Sequence, residues 1–173
     1  MSVSETVIQS RGGEVAKRRS KTPEELADDN ARTTPLGLFN TAEAYRSSAA
    51  ALEQAKLRGG HADSPIRFLY FHAIELYLKA LLRQEHNVDA IKSSFGHSIR
   101  QLVPEAERLG LCVADEDREI FSLMMDTDAV IEARYLRTGA KTWPTLEGLN
   151  RTCASIREQV GKLLREANIA VRM

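Results

Sequence analysis

The sequence predicts an all-α protein, a bundle of four or five helices joined by short connections. Two observations favour this fold class. Apolar residues recur at spacings of three and four through several long segments, which is typical of one buried helix face. No segment keeps the strict alternation of a half-buried strand, and we find no internal repeat.

The composition is that of an ordinary globular chain. Its 173 residues fit one domain with a core of its own. Basic and acidic residues balance at 24 each, so the whole chain has no strong attraction to nucleic acid or membrane. The sequence offers no signal peptide and no apolar run near the roughly 20 residues that span a bilayer. We therefore expect a cytoplasmic protein that is not associated with a membrane.

Neither a metal nor another cofactor is expected. Cys112 and Cys153 are the only cysteines, too few for a disulfide framework, and no group of His or Cys has the spacing of metal ligands. The paired glycines are not a phosphate-binding loop.

The chain divides into a polar, flexible N-terminal tail over residues 1–34 and a helical bundle domain over 35–173. The basic stretch "RGGEVAKRRSK" could touch RNA or a partner, although such a segment is more commonly a solvated arm. The stretch "TPEELADDN" could form one or two helical turns.

The first long helix is predicted to begin at Asn40, with Glu43 three residues later as in a capping box. Gly59 and Gly60 end it. Its apolar face consists of Leu38, Ala42, Tyr45, Ala49 and Leu52.

The second helix is predicted to begin with Ser64 as its N-cap and Pro65 as its first residue, and to run to about His86. It is apolar on several sides, so we expect more than one neighbour to bury it.

Three further helical segments follow. Pro104 is expected to divide "HSIRQLVPEAERLG" into two pieces, because proline cannot donate the intrahelical hydrogen bond. Residues 114–133 form a helix with acidic residues in its first turn. The last helix begins near Pro144, with an apolar face of Leu146, Leu149, Cys153, Ile156, Val160 and Leu163.

Polar residues interrupt the second helix within "FHAIELYLKALL". On a helical wheel His72, Glu75 and Lys79 fall within a sector of about 60°. Glu75 and Lys79 are four residues apart with the acid first, which favours an ion pair. Two interpretations stay open: this face is the solvated edge of a core helix, or it lines a groove or a dimer interface.

Three motifs in order resemble the HEPN superfamily (higher eukaryotes and prokaryotes nucleotide-binding). They are the Glu and Lys four apart in "FHAIELYLKALL", the Gly-His pair that opens "FGHSIRQL", and the Arg-Tyr of "ARY" before the last helix. The resemblance covers roughly residues 36–167. It implies a helical bundle, commonly a homodimer, whose relatives are metal-independent ribonucleases, toxins of toxin–antitoxin pairs, and RNA- or nucleotide-binding modules.

The catalytic motif of that family is an Arg followed four to six residues later by His. Arg134 and Arg137 stand near the expected place, but the histidines are His61, His72, His86 and His97, so none follows them. The literal match "RFLYFH" lies on the second helix, where residues five apart point about 140° away from each other. The family's catalysis is therefore not expected.

The residues expected to bind RNA or a nucleotide are Arg134, Tyr135, Arg137, His97, Glu75, Lys79 and His72. Arginine suits phosphate and tyrosine stacks on bases. Alternatively, Arg134 pairs with Glu75 across the bundle while Tyr135 is part of the core, and His97 caps the helix that follows it.

The sequence thus favours a non-catalytic HEPN-like binding module in a defence or toxin–antitoxin system, with RNA, a nucleotide or an antitoxin as partner. The alternative is a metal-independent ribonuclease with an atypically placed Arg/His site.

Overall fold

The computed structural model describes residues 22–55, 58–59, 61–126 and 142–172. These residues form an all-α bundle without a strand, as the sequence predicts. The helices are α1 (Pro23–Arg32), α2 (Pro35–Gln54), α3 (Asp63–Leu82), α4 (Val88–Ala90), α5 (Ile99–Arg108), α6 (Asp115–Asp126) and α7 (Leu146–Glu166), and a π-helical turn, Ile91–Phe95, continues α4.

Helix α3 is the centre of the bundle. Helices α2, α5 and α7 all pack against it, so the prediction of several neighbours is confirmed. The side chains that it buries completely are Tyr70, Phe71, Ala73, Ile74, Tyr77, Leu78, Ala80, Leu81 and Leu82. Removal of this apolar surface from water is the main force that assembles the fold. Although α3 is the most apolar long segment, no helix in the described ranges could cross a membrane.

Helix α2 begins at Pro35, and its N-cap lies six residues earlier than Asn40. Thr34 is the N-cap, with its Oγ1 accepting from the backbone N–H of Gly37 at 3.0 Å, and Pro35 is the first helical residue. The prediction of Asn40 as N-cap is therefore wrong, because the Thr-Pro pair supplies a cap and a preset φ one and a half turns upstream. The apolar face is confirmed: two of its alanines are buried, and Leu38, Tyr45 and Leu52 pack against the core.

The ends of α3 also differ from the prediction. The helix starts at Asp63 without a side-chain cap, so Ser64 lies in its first turn and is not the N-cap. It ends at Leu82 and not near His86, because the chain turns there: the N–H groups of Glu85 and His86 both bond to the carbonyl of Leu82.

Helix α5 is one continuous helix that contains Pro104, so the prediction of two pieces is wrong. Proline removes only the hydrogen bond to the carbonyl of Arg100, four residues earlier. Arg100 is exposed, so water can satisfy that carbonyl. The buried residues Leu102, Val103 and Ala106 hold the helix against the core.

Helices α6 and α7 are joined through a buried acid. Asp117 is 3% exposed, and its carboxylate accepts from Thr152 and Ser155 on α7 at 2.7 Å each. The helices approach closely at Gly148, where an added Cβ would lie 2.7 Å from Ile120. The acidic first turn of α6 is confirmed, and residues 127–133 of the predicted helix lie outside the described residues.

The predicted pattern of α7 is also confirmed. Its apolar face buries Leu149, Cys153, Ile156 and Val160, and Thr145 caps its start. Leu146 and Leu163 are partly buried against the same core.

Polar bonds attach α1 to the end of α3. Helix α1 itself contains no buried residue. Arg83 donates to the carbonyl of Thr33 at 2.8 Å and to that of Asn30 at 2.7 Å, which caps the C-terminal end of α1. The Asn30 side chain accepts from the backbone N–H of Val88. The described part of the predicted tail is thus helical and bonded to the bundle, and residues 1–21 lie outside the described residues.

Replacing Arg83 with methionine is expected to release α1 while the bundle stays folded, because the substitution keeps the apolar stem and removes the donors to two α1 carbonyls. Hydrogen exchange followed by mass spectrometry should show faster exchange in Pro23–Arg32 and unchanged protection in α3. Arg100→Met, an exposed arginine on α5, is the matched control. Unchanged protection of α1 in Arg83→Met would show that other contacts hold this helix.

Candidate functional site

Four of the predicted ligand residues meet around one carboxylate. Glu75 Oε1 accepts from Lys79 Nζ at 2.6 Å and from His97 Nδ1 at 2.8 Å. His72 Nδ1 lies 3.9 Å from the other oxygen, Oε2. We call His72, Glu75, Lys79 and His97 the Glu75 cluster. Three of its members lie on α3 and the fourth just before α5, so the cluster joins these two helices.

The cluster has a buried acid and basic groups nearer the surface. Glu75 is 1% exposed, whereas the side chains of Lys79, His72 and His97 are 13%, 19% and 51% exposed. The polar face of α3 is thus not a fully solvated edge. It is a partly covered face whose carboxylate holds two basic side chains towards the surface.

The carboxylate of Glu75 stays ionised at neutral pH. Burial by itself raises the pKa of Glu75, but the neighbouring His72, Lys79 and His97 lower it by more, and the pKa is held at about 2. Because an ionised carboxylate only accepts hydrogen bonds, Nδ1 of His97 carries the hydrogen in this contact. The other ring nitrogen, Nε2, is then the acceptor when the imidazole is neutral.

Gly96 brings His97 to the carboxylate. It has φ +53° and ψ −119°, a backbone conformation that residues with a Cβ rarely adopt. Its N–H donates to the carbonyl of Ile91 at 2.9 Å and so closes the π-helical turn. His97 follows directly and turns to Glu75. Ser98 is the residue at the cap position of α5 and makes no side-chain cap bond. The alternative in which His97 caps α5 is therefore wrong.

Aromatic rings surround His72 on α3. Tyr45 of α2 meets it edge-on, with ring centroids 4.4 Å apart, and Phe68 lies parallel to it at 5.9 Å. Nδ1 of His72 and Oε2 of Glu75 are both buried, and neither has a hydrogen-bond partner in the described part of the chain. Buried polar atoms are usually hydrogen-bonded, so these two atoms are the unusual feature of the cluster.

The remaining predicted ligand residues, Arg134, Tyr135 and Arg137, lie outside the described residues. The alternative in which Arg134 pairs with Glu75 involves one of these residues, so it also falls outside the described part of the chain. The described chain resumes at 142, and Trp143 stacks on Phe71 of α3 with centroids 6.3 Å apart.

The match "RFLYFH" brings no two catalytic groups together. Arg67 bonds to Asp63 at 3.3 Å and to the carbonyl of Pro144 at 3.4 Å. His72 faces Glu75 instead, as expected for two residues on different sides of α3.

A second polar cluster was not predicted from the sequence. Glu43 of α2 accepts from Tyr77 of α3 and from Arg157 of α7, the latter at 2.6 Å. Glu43 was predicted only as a capping residue, and Tyr77 lies in a helix that was predicted to be buried on several sides. Arg157 lies 114 residues from Glu43, so no local pattern links them.

The part of the chain that the structure describes holds no group of three or more His, Cys, Asp or Glu side chains that could bind a metal. Comparison with protein-family models, with curated proteins and with solved structures gave no match to this chain.

Glu75→Gln is expected to destabilise the protein by about 3 kcal/mol at pH 7, because Lys79 would be left partly buried without its counter-charge. The folded pKa of Glu75, about 2, lies below its ordinary value of 4.5, so its ionised form favours the folded state. That stabilisation is present above pH 4.5 and is lost as the pH falls towards 2.

Urea unfolding of wild type and Glu75→Gln between pH 7 and pH 3 measures both effects. The difference between the two proteins should narrow below about pH 4.5. Glu119→Gln, at an exposed glutamate of α6, is the control and should follow wild type throughout. A Glu75→Gln variant as stable as wild type at pH 7 would contradict the prediction.

Proposed function

We propose that this chain is a HEPN-like binding module that takes RNA or a nucleotide at the Glu75 cluster. In this proposal it is a cytoplasmic homodimer that serves a defence or toxin–antitoxin system, with an antitoxin as protein partner. One observation carries the ligand assignment: a single buried carboxylate holds Lys79 and the half-exposed His97 side by side.

The chemistry of the cluster suits a phosphate group. The ammonium of Lys79 is a donor, and the imidazole of His97 donates from Nε2 in its protonated form. Hydrogen bonds that involve an ionised group are shorter and stronger than neutral ones. Lys79 Nζ and His97 Nδ1 bond to the same oxygen of Glu75, which fixes both side chains before any ligand arrives. Groups held in this way lose less conformational freedom on binding.

The sequence-predicted residues complete the proposal. Arg134 and Arg137 would add guanidinium groups for the phosphate backbone, and Tyr135 would stack on a base. His72 would contribute mainly through its position beside Glu75, because it contacts two aromatic rings and is largely covered.

A second candidate function is a metal-independent ribonuclease, and the contact between His97 and Glu75 favours it. A carboxylate that binds one imidazole nitrogen fixes the tautomer and orientation of the ring, and the other nitrogen can then act as a general base or acid. His97 has this arrangement, with its side chain 51% exposed. In that candidate Arg134 or Arg137 stabilises the charge that develops on the phosphate.

Binding of a fluorescein-labelled, mixed-sequence single-stranded RNA tests the first proposal. In fluorescence anisotropy, His97→Ala is expected to bind about tenfold more weakly than wild type, since a charged hydrogen bond contributes about 1.5–3 kcal/mol. His61→Ala is the matched control: it removes an exposed histidine just before α3 and should leave the affinity unchanged. Equal affinity of wild type and His97→Ala, or no RNA binding by wild type, would contradict the proposed site.

A cleavage assay separates the two candidates. End-labelled mixed RNA is incubated with protein and EDTA, and the products are examined for 2′,3′-cyclic phosphate ends. A binding module leaves the RNA intact. Cleavage by wild type that is lost in both His97→Ala and Arg134→Ala, and kept in His61→Ala, would establish the ribonuclease instead.

A further inference from the structure

The second polar cluster, around Glu43, lies on the other side of α3. It consists of Glu43 and Arg46 on α2, Arg157 on α7 and Tyr77 on α3, and we call it the Arg46–Arg157 cluster. Tyr77 and Glu75 are two residues apart on one helix, so they point about 160° away from each other. The two clusters are therefore separated by the central helix.

Glu43 accepts a hydrogen bond from one of the two arginines and not from the other. Its Oε1 accepts from the Tyr77 hydroxyl and from Arg157 Nε at 2.6 Å. Its Oε2 lies 3.6 Å from Nη2 of Arg46, which is beyond hydrogen-bond distance. Nε of Arg46 is buried and has no hydrogen-bond partner among the described residues. Arg46 thus forms an ion pair with Glu43 but no hydrogen bond to it.

The charges of the cluster do not balance. Burial raises the pKa of Glu43, but its bonds from Arg157 and Tyr77 lower that pKa by more, so the carboxylate is ionised. Burial also raises the pKa of Tyr77, and it raises that of the neighbouring Cys153 thiol to about 12, so neither supplies a negative charge. Two guanidinium groups therefore share one carboxylate.

The next acid along α2 is already engaged. Glu53 lies seven residues beyond Arg46, about 10 Å along the helix. Its Oε2 accepts from the Tyr70 hydroxyl at 2.9 Å. Among the described residues, its carboxylate is therefore bonded to Tyr70 and not to Arg46.

We propose that the Arg46–Arg157 cluster binds an oxyanion, such as a phosphate group, between α2 and α7. The side chains of Arg46 and Arg157 are 26% and 21% exposed, so part of each is open to solvent between the two helices. The planar guanidinium matches the oxygens of phosphate, which would supply the acceptors that Glu43 does not. This site is independent of the proposed function at the Glu75 cluster.

Titration calorimetry of the full chain with inorganic phosphate tests the inference. Sodium chloride keeps the ionic strength constant, so that general salt effects cancel. Wild type is expected to bind phosphate at the Arg46–Arg157 cluster, and Arg46→Gln is expected to bind it there at least tenfold more weakly, since a charged hydrogen bond is lost. Arg46→Lys keeps the charge but loses the fork of donors, so its affinity should fall between the two.

One control makes the result specific. Arg151→Gln removes an exposed arginine of α7 that lies 3.5 Å from Glu116, and it should bind phosphate as wild type does. Two results would overturn the inference: no phosphate binding by wild type, or equal binding by wild type and Arg46→Gln, which would place any bound phosphate elsewhere.

Discussion

An ionised carboxylate buried in the most apolar helix is the constraint to which much of this structure responds. Moving a carboxylate out of water costs several kcal/mol unless hydrogen bonds and opposite charge offset it. Glu75 receives both from Lys79, one turn along α3, and from His97. The second contact requires the chain to return to α3 after α4, and the unusual backbone at Gly96 makes that return possible. The path of the chain between α3 and α5 therefore serves to bring His97 to the carboxylate of Glu75.

Other polar contacts determine which elements meet, while apolar burial supplies the driving force. Asp117 selects the face of α7 that packs on α6, because Thr152 and Ser155 must reach it. Arg83 holds α1 by its carbonyls, where no buried side chain of α1 could do so. Each of these acceptors would be costly to leave unpaired, so each discriminates against other arrangements of the same helices.

The sequence predicts the helices well because apolar spacing reports burial directly. Every residue predicted for the faces of α2 and α7 is buried or partly buried against the core, although the fully buried Phe39 and Leu164 were not among them. The sequence predicts the ends of the helices less well, because several residues near each start could act as the N-cap. Asn40 and Ser64 are good capping residues in sequence, yet Thr34 and the turn before Asp63 start the helices earlier. Of the candidate site, the pairing of Glu75 with Lys79 follows from their spacing. The bond from His97, 22 residues away, depends on a turn that no local pattern specifies.

The two polar clusters also fix the rotation of α3 about its own axis. A helix that is apolar around almost its whole circumference could pack nearly as well after turning by one residue, because each face would still meet aliphatic neighbours. Glu75 and Tyr77 remove that freedom from opposite sides, since a turn in either direction would pull one of them away from its partner. These two hydrogen-bonded groups thus set the rotational position of the central helix. They favour one packing of the bundle over the several that apolar contacts alone would permit.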